Sequence, residues 1–202
     1  YKIGDTVAVT ITATGNETGL TLSSATFNGE TLTGITDVGD GTYTATYTVV
    51  EGNADIADGD AVTTSLAFTD GAGNVGAATT SVTLGGESID ANKPTVAAVS
   101  IPDAAMNIGD TVTATITVSG ATGETLSLES STIGGFALGS LSKTNDTTYT
   151  ATFTVTDGGA DVAAGSDIPV SVALSDPSGN ASSTFTTAIS QTSDAIDANA
   201  PT

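Results

Sequence analysis

The sequence predicts an all-β protein made of two tandem immunoglobulin-like β-sandwiches, the first lacking its strand A. Three observations carry that expectation. The chain repeats itself at a period of about 105 residues. Apolar residues alternate with polar ones at a period of two almost everywhere. Turn residues cut the alternation into short strands, seven of them in the second repeat.

The repeat divides the chain. IGDTV at Ile3–Val7 returns at Ile108–Val112, 105 residues on. TYTATYTV at Thr42–Val49 returns as TYTATFTV at Thr148–Val155, and TDGAGN at Thr69–Asn74 as SDPSGN at Ser175–Asn180, both 106 residues on. IDANKPT at Ile89–Thr95 returns as IDANAPT at Ile196–Thr202, 107 residues on. A catalytic motif has no reason to recur at one period, but a joint between repeated units does. The 202 residues therefore read as one domain over 1–88, a linker over 89–94, a second domain over 95–195, and the start of a further linker over 196–202.

Each strand follows from its alternation. Tyr43, Ala45, Tyr47 and Val49 share one face and threonines fill the other, as do Tyr149, Ala151, Phe153 and Val155 later. Val7, Val9, Ile11 and Ala13 match Val112, Ala114, Ile116 and Val118. Such alternation, with β-branched residues on the polar face, describes half-buried antiparallel strands. Asn28-Gly29, matched by Gly134-Gly135, suits a two-residue hairpin. In the second unit the strands fall near 95–101, 110–118, 125–133, 136–142, 147–155, 168–175 and 181–190, lettered A to G in order. The first unit shows B to G only, since Tyr1 aligns with Met106 and nothing matches Pro94–Ala105. Tyr1 thus reads as a cut within an array, and the vacant strand A position predicts strand-edge contacts with another chain.

Composition excludes several function classes. There is no Cys and no His, so disulfides and thiolate or imidazole metal sites are absent. Three lysines against 23 acids give a formal charge of −20, and no basic patch for nucleic acid or an anionic membrane can be assembled. No apolar run approaches the roughly 18 residues of a membrane span, and no signal peptide opens the chain. Paired carboxylates could hydrolyse glycosides, but a slim sandwich with nine aromatics offers no deep cleft, and no catalytic residue is assigned. A carbohydrate- or ligand-binding module is the main alternative. It would need exposed aromatic rings, and Tyr43, Tyr47 and Tyr149 point inward.

Most of the acids avoid the strands, and several recur in register. They fill the E–F loops, with Glu51, Asp55, Asp58 and Asp60 in the first unit and Asp157 and Asp161 in the second. They also fill the F–G loops, as Asp70 with Asn74 and Asp176 with Asn180, and the joints, as Glu87, Asp90 and Asn92, then Asp194, Asp197 and Asn199. The two E–F loops are not equivalent, because Asp58 corresponds to Ala164. In an antiparallel seven-stranded domain the F–G loop lies at the end that receives the chain and the E–F loop at the end it leaves by. The first unit's E–F acids, the joint and the second unit's F–G loop are therefore expected to converge. Crowded carboxylates repel unless a cation sits among them. Six to eight oxygens at roughly 2.3–2.6 Å suit Ca²⁺ better than Mg²⁺. Zinc and copper would favour the missing His and Cys.

The Asp-x-Asn-x-Pro joint, the D-x-x-G-N loop and the acidic, Thr-rich, Cys-free unit together resemble the bacterial immunoglobulin-like extender repeats of giant RTX-type adhesins, over essentially the whole chain. That resemblance implies export by type I secretion, an extracellular place on the bacterial surface, and a role in cell adhesion to ice or in biofilms. It implies neighbouring repeats of the same chain as partners, and Ca²⁺ at the junctions to stiffen the array. No nonapeptide calcium roll is present, so this stretch would be extender and not secretion signal.

Overall fold

The computed structural model describes residues 1–14, 17–121, 123–190 and 195–201. Among them every regular element is a strand. The chain divides into two compact units, Tyr1–Asn92 and Lys93–Thr202.

The first unit holds β1 (Thr6–Thr12), β2 (Thr21–Phe27), β3 (Glu30–Thr31), β4 (Thr33–Gly39), β5 (Thr42–Thr48), β6 (Ala61–Thr69) and β7 (Thr79–Thr83). They form two sheets, ordered β1-β5-β4 and β3-β2-β6-β7. In strand letters these are B-E-D and C′-C-F-G, the immunoglobulin-like arrangement without A. The second unit holds β8 (Thr95–Ser100), β9 (Met106–Asn107), β10 (Thr111–Ser119), β11 (Ser127–Leu128), β12 (Thr132–Ile133), β13 (Phe136–Ala137), β14 (Ser142–Asn145), β15 (Thr148–Thr154), β16 (Val170–Ser171), β17 (Leu174–Ser175) and β18 (Ile196–Asp197). Its first sheet is β14-β15-β10-β8, so strand A is present and pairs with B.

The registers confirm the repeat. Ile11 pairs with Tyr43 and Ile116 with Tyr149; Val7 pairs with Tyr47 and Val112 with Phe153. The inward tyrosines are core, with Tyr43 at 2 %, Tyr47 at 0 % and Tyr149 at 1 % exposure. Asn28-Gly29 forms the expected hairpin, both residues at positive φ (50° and 85°), which suits a type I′ turn.

Three strand assignments differ from expectation. The segment over 136–142 is not one strand D. Phe136–Ala137 stays with β12 in the C-F-G sheet, and Ser142–Asn145 crosses to pair with β15. The crossing works because Gly139 passes close to β15, where a Cβ would lie 3.3 Å from the Thr152 carbonyl oxygen. Strands C and F of the second unit each break into two short pieces, with Pro169 supplying no N–H to its ladder. Strand G reduces to isolated bridges, Ala181 to Ser175, Phe185 to Val172 and Ile189 to Ile168.

The joint phrases belong to the domains. Ile89 is 2 % exposed and Ala91 0 %, both within the first core; Ile196 (1 %) and Ala198 (0 %) repeat this in the second. Burying one such isoleucine stabilises by about 1.5–3 kcal/mol. Ile89 exchanges both backbone bonds with Ile56 at 2.8 Å, and Asp90 N donates to Tyr1 O at 2.9 Å. In the second unit β18 pairs antiparallel with Val162 and parallel with β9. Each phrase is thus a short strand held on both edges.

Candidate functional site

The recurring acids build the same small structure twice. Ala91 N and Asn92 Nδ2 both donate to Asp55 Oδ1 at 2.8 Å. Ala198 N and Asn199 Nδ2 both donate to Asp161 Oδ1 at 2.8 Å. The amide of each Asn also reaches one further carbonyl, Asn53 O or Gly159 O, at 3.2 Å. Asp90 Oδ1 accepts from Asn92 N at 3.4 Å, and Asp197 Oδ1 from Asn199 N at 3.3 Å. In the second unit Ala200 N adds a bond to Asp157 Oδ1 at 3.2 Å. The Asp-x-Asn phrase is therefore a strap that ties the end of each unit to its own E–F loop. Alternation explains it: Ile and Ala point into the core, so Asp and Asn must face outward.

The other predicted acids divide among local roles. Asp58 Oδ1 accepts from Gly86 N at 2.7 Å, a bond Ala164 cannot copy. Asp60 contributes its backbone carbonyl to Leu84 N at 3.0 Å. Glu87 takes a hydrogen bond from the Tyr1 hydroxyl and, with its charge, raises that phenol above the usual tyrosine range. Glu51 is exposed. Asp194 lies outside the described residues.

The two F–G loops share a scaffold and differ in burial. Asp70 accepts from the Asn74 side chain, from Asn74 N and from Ala72 N at 2.8–2.9 Å. These bonds, the Asn74 side chain first, hold its carboxyl below the usual aspartate range. Asp176 Oδ1 accepts from Asn180 N at 2.8 Å in the same way. Asp176 is only 4 % exposed and Asn180 3 %. Asp176 Oδ2 is buried and finds no hydrogen-bond partner among the described residues.

That orphaned oxygen bears on Ca²⁺. A buried carboxylate oxygen without a donor is costly, and a cation would relieve it. The donor set is oxygen only, which suits a hard ion. Against this, Asp55 Oδ1 and Asp161 Oδ1 are already engaged by amide donors. Among the described residues no three carboxylates converge within either unit. Asp176 Oδ2 is thus one oxygen open to a cation, with no cluster of carboxylates around it among the described residues; Asp55 and Asp161 act first as hydrogen-bond acceptors.

One bridge was invisible in the acid pattern. Asp37 accepts from Gly19 N at 3.0 Å and Gly39 N at 2.9 Å, tying strand D to the B–C loop. At the matching place Lys143 Nζ donates to Glu124 O at 2.8 Å, and Tyr149 Oη donates to the same carbonyl at 2.8 Å. The polarity of the bridge is reversed between the units.

No protein-family model matches the chain, and no curated protein matches it. Solved structures that match the chain include fibronectin(III)-like modules of Clostridium thermocellum CbhA, 18 % identical over 98 % of this chain and 89 % of that one, TM-score 0.37. Titin domains Z1Z2 in complex with telethonin are 16 % identical over 95 % and 90 %, TM-score 0.26. These overlaps are too loose to transfer any property. The class of protein rests on the strand order itself: two immunoglobulin-like sandwiches in series.

Proposed function

We propose that the chain is a pair of structural extender repeats from a large bacterial surface adhesin, serving to hold a distal binding domain away from the cell. The observation that carries this reading is the strap, built twice with the same partners and distances. A repeat whose last residues are locked to its own E–F loop hands the chain onward from a fixed point. Pro94 and Pro201 follow the straps, and proline holds the residue before it extended.

Ca²⁺ is the proposed stiffening ion. Its chemistry would be to neutralise carboxylates of the joint and the F–G loop and to take their oxygens as ligands. In the first unit Asp90 and Asn92 would offer oxygens, and in the second Asp176, with its unpartnered Oδ2. The alternative, a carbohydrate-binding module, gains little support. Among the described residues the exposed large hydrophobics include one aromatic ring, Tyr1 at 41 %.

Melting the metal-stripped protein against added Ca²⁺ tests the reading. Binding to the native state alone adds about 2.7 kcal/mol at a hundredfold excess over Kd. Small-angle scattering supplies the mechanical half. In Ca²⁺, Asp90→Ala should loosen the two-unit particle and Asp197→Ala should leave its length unchanged. An unmoved melting temperature, or an Asp90→Ala variant as stiff as the parent, ends the calcium-stiffened reading.

A further inference from the structure

Three Asn-x-Ser/Thr triplets, the acceptor pattern for N-linked sugar, occur in the chain: Asn16-Glu17-Thr18, Asn145-Asp146-Thr147 and Asn180-Ala181-Ser182. In a chain so rich in Ser and Thr the pattern alone decides nothing, but the structure separates the three. Asn16 lies outside the described residues. Asn180 is 3 % exposed, and Ser182 Oγ is engaged by Leu174 N at 3.0 Å. Asn145, Asp146 and Thr147 are all exposed.

The turn itself builds the acceptor. Asn145 ends β14 and pairs with Thr148 at the start of β15, so Asp146 and Thr147 form a two-residue hairpin tip. Neither has positive φ, which fits a type I turn with Asn in its first position. From there an Asn side chain bonds the backbone two residues on. Asn145 Oδ1 accepts from Thr147 N at 2.9 Å and from Thr147 Oγ1 at 3.1 Å. Two donors on the amide oxygen make the Nδ2 protons easier to remove. Among the described residues Nδ2 itself makes no hydrogen bond. The acid in the middle of the triplet would repel a phosphate-bearing donor, but Lys143 Nζ lies 2.9 Å from Asp146 Oδ1 and offsets it. The matching residues of the first unit are Gly39, Asp40 and Gly41, so this site belongs to the second unit alone.

We propose that Asn145 is the acceptor of an N-linked sugar. Nδ2 attacks the anomeric carbon of a sugar carried as a phosphate ester. The C–N bond forms as the C–O bond to phosphate breaks, the phosphate leaves with that electron pair, and one Nδ2 proton passes to the transferase's base. The fold has a use for the product. β14 is the outer strand of its sheet, and an open strand edge invites pairing with another chain. A bulky, solvated glycan at the hairpin tip obstructs such pairing. Calcium plays no part in it.

The test offers the folded chain two donors in separate arms. One arm is UDP-glucose with a soluble bacterial asparagine glucosyltransferase; the other is a lipid-pyrophosphate oligosaccharide with a membrane-bound oligosaccharyltransferase. Intact mass and peptide mapping should show one glycan, on Asn145, in at least one arm, and the arm identifies the donor. Asn145→Gln and Thr147→Val should abolish the addition, and Thr147→Ser should retain it. Melting curves establish that the three variants are folded. Asn180 should stay bare. An unmodified Asn145 in both arms, equal modification of the Thr147→Val variant, loss in Thr147→Ser, or sugar on Asn180 of the folded chain overturns the proposal.

Discussion

Asp55 Oδ1 lies 2.8 Å from Asn92 Nδ2 and equally close to Ala91 N, so one carboxylate oxygen closes the end of the first unit. Asp161 and Asn199 repeat the relationship in the second. Hydrogen bonds to a charged acceptor are worth roughly 1.5–3 kcal/mol when buried and less at a solvated edge. Asp55→Ala is therefore expected to destabilise the first unit by about 1–2 kcal/mol in chelator, where no ion contributes. Asp161→Ala should cost the second unit a similar amount. Urea unfolding monitored separately for each unit measures both. If neither variant moves its midpoint in chelator, the strap bonds contribute nothing to stability.

Tyr47 and Phe153 predict a second asymmetry. In the first unit the Tyr47 hydroxyl donates to Asn53 Oδ1 at 2.9 Å and accepts from Asn28 Nδ2 at 3.2 Å, while Asn53 Nδ2 donates to Glu30. The matching residues of the second unit are Phe153, Gly159, Gly134 and Phe136, an apolar set in which the two phenylalanine rings stack at 5.9 Å. The corner is solved once with polar groups and once with aromatic ones. Phe153→Tyr should bury a hydroxyl with no partner and cost about 1–3 kcal/mol. Tyr47→Phe should cost only about 1 kcal/mol, since Asn28 and Asn53 keep bonds to Ala54 O and Val50 N. Equal costs by denaturant unfolding would refute this account.

Much of this was legible in the sequence because sameness between repeats is easy to see. The cores followed from alternation, and the Asn28-Gly29 hairpin from its turn residues. The acids of the strap were found by their recurrence, but their bonding was not, because half their partners are backbone amides without a sequence signature. The strand D error has a similar cause. Leu32 and Leu138 alternate equally well in either sheet, and the close pass at Gly139 decides which sheet follows. The Asp37 and Lys143 bridges leave no mark in the repeat pattern, because the two units carry opposite charges at that position. The signal was compensation: position 37 changes sign together with the group it must meet.

Acid should weaken the first unit through Asp70 and Asp37. Both carboxyls are held below the ordinary value of 3.8, Asp70 chiefly by Asn74 and Asp37 chiefly by the Gly19 and Gly39 amides. A depressed folded pKa contributes stability that is complete above the unfolded value and is lost as pH falls through the folded one. The loss therefore begins near pH 3.8 and continues below it. Asp70→Asn removes one such group, so its melting temperature should fall less steeply over that range. An identical slope for variant and parent would assign the acid response elsewhere.

Asp176 gives a prediction whose sign depends on the metal. Its Oδ1 is satisfied by Asn180 N at 2.8 Å, and its Oδ2 is buried without a hydrogen-bond donor among the described residues. Asp176→Asn keeps the first oxygen, removes a buried negative charge and changes little in volume. In chelator the variant should melt at or above the parent, because an uncompensated buried carboxylate is destabilising. In saturating Ca²⁺ the order should reverse, because the parent gains the binding increment and an amide is a far weaker ligand for a hard cation than a carboxylate. Calorimetric melting of both proteins, each with and without Ca²⁺, resolves the two effects. The crossing of the two curves is the decisive feature. A shift of the same sign and size in both conditions would mean that Asp176 serves the loop alone and that no ion is held there.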